Sequence, residues 1–177
     1  MKYVITYMIH GEPEDYQKKL IKTLSKLSGE MHLIEKPIPS HMTLKSPFET
    51  EQIKEVEKII KEFTVQSRPF KFKIKKFGNF RKFVAFLKPT PRYKFRRVQK
   101  NLLKSLKKIS WLEITPHDKS FHPHATLAYG NSKNSFAQIW RYLKSIPKPD
   151  FEMEFNNISI MKKSKGLWKP YKEFEIK

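Results

Sequence analysis

Two four-residue words hold the residues of this chain best suited to chemistry: His41-Met42-Thr43-Leu44 and His124-Ala125-Thr126-Leu127, with their histidines 83 positions apart (124 minus 41). In an extended strand, residues two apart share a face about 7 Å from one another, so each word sets an imidazole beside a hydroxyl. Met42, Leu44, Ala125 and Leu127 then face the opposite way, toward a core. If two such strands flank a groove, one neutral imidazole can take a proton from an attacking hydroxyl or water. The other, protonated, can give one to the departing oxygen. Histidine suits both jobs because its ordinary pKa of about 6.5 keeps both forms accessible near neutrality. The threonine hydroxyls can donate to non-bridging phosphate oxygens as charge builds on them. The expected roles are proton transfer for His41 and His124, and substrate binding for Thr43 and Thr126.

Accident explains the repetition poorly. With six His, eight Thr and 13 Leu in 177 residues, a His-Xaa-Thr-Leu word is expected roughly 0.02 times. A single strand histidine is more commonly a hydrogen-bonded structural residue; the paired word reverses that reading.

The elements that must position these words alternate along the chain. "KYVITYMI" reads as a buried or half-buried strand. "EPEDYQKKLIKTLSKLSG" reads as a helix with Leu20, Leu24 and Leu27 on one face and Gly29 as its stop. The first word follows on an extended segment behind Pro37 and Pro39. "ETEQIKEVEKIIKEF" is a second helix carried by Ile53, Val56, Ile60 and Phe63. "FKFKIKKF" alternates strictly and "KFVAFL" continues as a further strand. Phe95, Val98, Leu102, Leu106 and Ile109 recur at helical spacing within a basic stretch from Arg92 to Ile109. "WLEIT" and "HPHATLAY" read as strands and "SFAQIWRYLKSI" as a helix. "FEMEFNNISIM" and "YKEFEI" read as a closing two-stranded unit around Gly166. Helix then motif strand occurs twice, which suggests two similar halves. The expected fold class is α+β, with antiparallel sheets and helices on their outer faces. The length favours one domain, residues 1–177.

The absence of cysteine excludes a disulfide scaffold and thiolate metal sites and is consistent with a reducing, cytoplasmic setting. "MKYVITYMIH" meets His10 and Glu12 too early for a secretory signal, and no run is long enough to span a bilayer. The formal net charge of +20 points to polyanions as partners. Between Lys82 and Leu112 there is no acidic residue at all. The basic face of the helix in that stretch is open to three readings: solvated charge, a phosphate-backbone track, or a membrane-surface helix.

The words "PSHMTLKSPF" and "FHPHATLAYG" resemble the paired signatures of the 2H phosphoesterase superfamily, in particular its 2'-5' RNA ligase and RNA 2',3'-cyclic phosphodiesterase members. An N-terminal strand, a helix before the first word, a basic helix before the second and the closing "LWKPYKEFEI" are also similar to that family. The resemblance implies a bilobal fold of two pseudo-symmetric antiparallel sheets, with outer helices and a central groove. It implies hydrolysis of RNA 2',3'-cyclic phosphate ends to 2'-phosphate without metal or cofactor; the expected partner is RNA or an oligonucleotide, and the expected state a monomer. In the family's usual assignment His124 would activate water and His41 would protonate the 3'-oxygen. Hydrolysis of 2',5' linkages and ATP-independent 2'-5' ligation are the alternatives within it. Many cyclic phosphodiesterases of the family carry a basic residue shortly after the second word, where this chain has Tyr129.

Rival readings are weaker. His117, Asp118, His122 and His124 could be proposed as a metal site, but the first word supplies no carboxylate and the twin threonines would go unexplained. A non-catalytic RNA-binding module accounts for the charge and aromatic content but not for the two words. A Ser-His-Asp hydrolase lacks its nucleophile motif. Simple alternation places Lys45 in the groove beside phosphate, or in solvent. Phe48, Phe121, Tyr129 and Trp168 are candidates for base stacking or, more simply, for packing.

Overall fold

The computed structural model describes residues 1–177. Eight strands and six helices follow in the order β1 (Lys2–Met8), α1 (Glu12–Ser28), α2 (His32–Glu35), β2 (His41–Glu49), α3 (Ile53–Gln66), β3 (Phe70–Phe80), β4 (Val84–Thr90), α4 (Arg92–Leu106), α5 (Pro116–Lys119), β5 (Ala125–Tyr129), α6 (Lys133–Ser145), β6 (Phe151–Phe155), β7 (Asn157–Ser164) and β8 (Leu167–Glu175). The strands form two four-stranded sheets, ordered β2-β1-β7-β8 and β5-β4-β3-β6. Every neighbouring pair is antiparallel. The fold is the expected α+β class with two antiparallel sheets.

One cluster of buried side chains runs through both sheets and the helices behind them. Tyr3, Ile5 and Tyr7 of β1 point into it. Val4 and Met8 point to the other face and join Met161 in a smaller cluster edged by Ile38 and Trp168. The apolar run of β1 therefore reflects a central strand covered on both faces. Tyr7 ties the sheets together: its ring stacks on Phe155 at 5.0 Å and its hydroxyl donates to the carbonyl of Glu154 at 2.9 Å.

The helices form where the apolar spacing predicts. In α4, Phe95, Leu102 and Leu106 are buried, and Ile109 is buried just beyond the helix. In α3, Ile53, Val56 and Ile60 are buried. Gly29, with φ of 71°, ends α1 in a left-handed cap. The buried stripe of α1 is Gln17, Leu20, Leu24 and Ser25, so Leu27 lies outside it and is exposed.

Two strand readings fail for reasons of partnership. "WLEIT" forms no strand, because it finds no neighbour to ladder with. It leads instead into α5, where Thr115 and Asp118 satisfy each other's backbone in a reciprocal cap. "FEMEFNNISIM" is two strands in different sheets: β6 pairs with β3, and β7 pairs with β1 and β8. The crossing point is pinned by Asn157, whose amide oxygen accepts from the Met8 N–H at 2.9 Å and whose nitrogen donates to the Met8 carbonyl at 3.1 Å. The short helix α2 is not legible in the apolar pattern.

Candidate active site

β2 and β5, the strands carrying the two words, are each the outermost strand of their sheet, and the two edges lie against each other. His41 opens β2 and His124 immediately precedes β5. An edge strand has unpaired backbone groups, and here α1 takes up one of them: Gln17 Nε2 donates to the Thr126 carbonyl at 2.9 Å. Met42, Leu44, Ala125 and Leu127 are buried while Thr43 and Thr126 are half-exposed, which is the alternation each word predicts.

The words share one further feature. Along β1 and β2 the register steps from Thr6 opposite Thr43 to Ile5 opposite Lys45, so Leu44 is an extra, unpaired residue. Along β4 and β5 it steps from Phe86 opposite Thr126 to Ala85 opposite Ala128, leaving Leu127 extra. Each leucine is thus the inserted residue of a β-bulge, and two successive residues are buried after each threonine. The bulge lets the strand anchor itself firmly directly behind the polar pair.

Both imidazoles are held in the same way. His41 Nδ1 lies 2.7 Å from the carbonyl of Pro39, and His124 Nδ1 lies 2.7 Å from the carbonyl of His122. A carbonyl accepts only, so Nδ1 is the protonated nitrogen in each neutral ring and Nε2 carries the lone pair. No protein group takes up either Nε2. Burial pushes the pKa of His41 below the ordinary histidine value; the Pro39 carbonyl opposes this and the proximity of His124 adds to it. Burial does the same to His124, opposed by the His122 carbonyl and helped by the His122 ring.

His124 rests on an aromatic shelf. Phe80 meets it edge-on at 4.8 Å and Phe86 at 5.3 Å, with those two rings 4.4 Å apart. Gly78 makes room for the shelf, since a Cβ there would collide with the Phe86 ring. Neither phenylalanine stands out in the sequence, because nothing in strand alternation says which aromatic will lie beneath a residue of another strand.

Lys45 corrects the alternation reading. The bulge at Leu44 rotates it away from solvent and groove alike, and its side chain has no exposure. Its ammonium lies 2.9 Å from Oδ2 of Asp118, whose side chain is 1% exposed. Asp118 also accepts from the Ser46 N–H at 2.6 Å and from the N–H and hydroxyl of Thr115 at 2.8 and 2.9 Å. Burial alone would raise the pKa of this carboxyl, but the Ser46 N–H, the Lys45 ammonium and the Thr115 N–H together bring it below the usual value. The pair joins β2, just past the first word, to α5, just ahead of the second. Asp118 is therefore spent on a strut, and no cluster of three or more His, Asp or Glu side chains is arranged to share an ion.

The four aromatic candidates part ways. Phe48 packs on Tyr3 at 6.2 Å and beneath Lys45. Tyr129 is exposed, with its ring 6.5 Å from His32. Phe121 lines a groove beside α4. Trp168 shares a cavity with the first word: it lines a small space of about 90 Å³ with His41, Thr43 and Ile38.

Two sheets meeting at motif-bearing edges, each contributing a pinned imidazole and a neighbouring hydroxyl, define a 2H phosphoesterase architecture. Residues 17–167 match the profile of the 2'-5' RNA ligase superfamily, and the chain belongs to that family. A protein of Bacillus pumilus (strain SAFR-032) named as a phosphoesterase is 28% identical over 142 residues, covering 77% of this chain and 79% of that one. A similarly named protein of Geobacillus kaustophilus (strain HTA426) is 28% identical over 144 residues, covering 78% and 79%. Among solved structures, TT0787 of Thermus thermophilus superposes with a TM-score of 0.69 at 19% identity, over 99% of this chain and 98% of that one. LigT of E. coli, complexed with 3'-AMP, superposes with a TM-score of 0.63 at 17% identity, over 99% and 97%. These structures share the fold. No helix of the chain is long and apolar enough to cross a membrane.

Proposed function

We propose that the protein is a metal-independent phosphodiesterase of the cytoplasm that opens RNA 2',3'-cyclic phosphate ends to 2'-phosphates, acting as a single two-lobed domain and as a monomer. The observation that carries this reading is the matched pinning of His41 and His124, which leaves a free Nε2 at the head of each of two abutting strands. Neutral His124 accepts the proton of a water whose oxygen attacks phosphorus. The bond from phosphorus to the 3'-oxygen breaks, and protonated His41 delivers its Nε2 proton to that oxygen. Thr43 and Thr126 donate to the non-bridging oxygens, and Trp168, beside His41 and Thr43, offers a face to the terminal base. LigT, a structural neighbour, has been crystallised with 3'-AMP and with NADP+, which supports a nucleotide occupant for this fold.

Incubation with a cyclic-phosphate-ended oligoribonucleotide, followed by end-group analysis, is expected to yield a 2'-phosphate, undiminished by excess chelator. A 3'-phosphate product would reverse the assignment of the leaving oxygen. Loss of activity to chelator with recovery on adding zinc would replace the two-histidine mechanism by a metal one.

The pH dependence follows from the direction of the two shifts. Catalysis needs one proton on the pair, and burial lowers both histidines below their ordinary value of about 6.5. The singly protonated state of the free enzyme is therefore most populated on the acid side of that value, and the pair titrates as a unit. A plot of kcat/KM for a small cyclic nucleotide should be a bell centred below about pH 6.5. An optimum near pH 8 would mean that at least one of the two groups is not a histidine of this pair.

A further inference from the structure

The basic helix α4 forms one wall of a groove of about 800 Å³ whose other wall is α5 and the segment leading to β5. Arg96, Lys100 and Lys104 line it from the helix and Lys107 from its C-terminal cap, and Lys119 faces them from across. None of these five cations takes part in an ion pair. The one acid on the groove wall, Asp118, is buried and committed to Lys45. A groove lined by unmatched charge of one sign concentrates anions, and more strongly than a convex surface would.

The groove also reaches the neighbourhood of His124. Its lining includes His122, whose carbonyl pins His124 and whose ring shares Phe80 with the His124 ring, at 6.0 and 4.8 Å respectively. From Arg96 to Lys107 it runs about 16 Å at the helical rise of about 1.5 Å per residue, enough for several phosphates of an extended strand. Phe121, on the same wall, offers an aromatic surface among the cations. Basic tracks with interleaved aromatics suit single-stranded nucleic acid, because the backbone supplies regular charge and every base has a stacking face.

We propose that this groove binds single-stranded RNA, seating the nucleotides that precede the reacting end and so making the enzyme selective for oligonucleotides over mononucleotides. The direction of the strand rests on the assignment of His41 and His124 as the reacting pair; the binding itself does not.

The test compares two sets of four charge-removing changes to glutamine. One set takes Arg96, Lys100, Lys104 and Lys107 from the groove. The other takes Lys58, Lys61, Arg97 and Lys108, which are exposed on α3 and around α4 but lie outside the groove. The probe is a labelled single-stranded RNA of about ten nucleotides with a cyclic-phosphate end. The groove set is expected to weaken its binding at least about tenfold and to reduce the slope of log affinity against log salt by roughly 3, at about 0.7 per lost phosphate contact. The second set should change both far less. KM for the oligonucleotide should rise in the groove set while kcat/KM for a cyclic mononucleotide stays near that of the unaltered protein.

Equal losses in both sets would overturn the proposal in favour of net charge, and unchanged binding in the groove set would overturn it outright. Competition by an acidic peptide as effective as competition by unlabelled RNA would overturn the nucleic acid assignment. If the unaltered protein turns over neither substrate while the binding pattern holds, the hydrolase reading falls and the groove stands.

Discussion

Replacing either His41 or His124 with alanine is expected to lower turnover of a cyclic phosphate at least about 100-fold, the range over which positioned proton transfer contributes. Each imidazole makes one hydrogen bond, to a carbonyl two residues back, and each ring is only half-buried. The variants should therefore fold, with thermal melts close to that of the unaltered chain, so that the loss reads as chemistry. In the proposed mechanism the two rings act on opposite ends of one phosphorus displacement, so the double variant should be scarcely slower than either single one. Thr43→Ala and Thr126→Ala remove one phosphate hydrogen bond each and leave both proton carriers in place, so their losses should be shallower. Substantial activity in either histidine variant would defeat the two-histidine mechanism, and a threonine loss as deep would give the hydroxyls a larger role.

The largest stability effect belongs to Lys45 and Asp118. Removing one partner of a fully buried ion pair strands the other charge without water, at a cost of about 3–5 kcal/mol. Lys45→Met is expected to destabilise by that order, read from the shift of a denaturant midpoint at unchanged slope. Asp118→Asn should cost at least as much as Lys45→Met. The carboxylate left by Lys45→Met keeps its hydrogen bonds from the Ser46 N–H and from the N–H and hydroxyl of Thr115, whereas an amide NH2 at position 118 would face one of those donors and leave Lys45 only the Ser46 carbonyl at 3.3 Å and hydroxyl at 3.4 Å. Lys45→Met with Asp118→Leu together should recover part of the loss, because replacing a whole buried pair with apolar groups is far cheaper than breaking it.

The pH dependence of this pair has a definite sign. The folded pKa of Asp118 is depressed, so its contribution is present above the ordinary carboxylate value of about 3.9 and is lost as pH falls through the lower folded value. The unaltered protein should therefore lose stability in that acid window more steeply than the Asp118→Asn variant. Single variants within about 1 kcal/mol of the unaltered chain would show that the pair is not a strut between the two words.

Legibility in the sequence differs residue by residue. The helical spacing of α3 and α4, the left-handed stop at Gly29 and the hairpin around Gly166 are local matters of backbone and side-chain periodicity, and they appear as read. "WLEIT" and "FEMEFNNISIM" mislead because a strand is defined by its neighbour, and neither the missing partner of the one nor the change of sheet within the other leaves a mark on the pattern.

The sequence by itself determined the candidate groups: the word His-Xaa-Thr-Leu, used twice, sets an imidazole and a hydroxyl on one face and aliphatics on the other, because strand geometry repeats every two residues. Only the tertiary structure decided that the two words lie on abutting sheet edges, that Phe80 and Phe86 support one of the rings, and that Lys45 turns inward to Asp118. The physical reason for that inward turn is a single inserted residue. A bulge at Leu44 breaks the two-residue alternation that the sequence displays. Whether a strand bulges depends on the strand beside it, here β1, where Thr6 faces Thr43 on one side of the step and Ile5 faces Lys45 on the other.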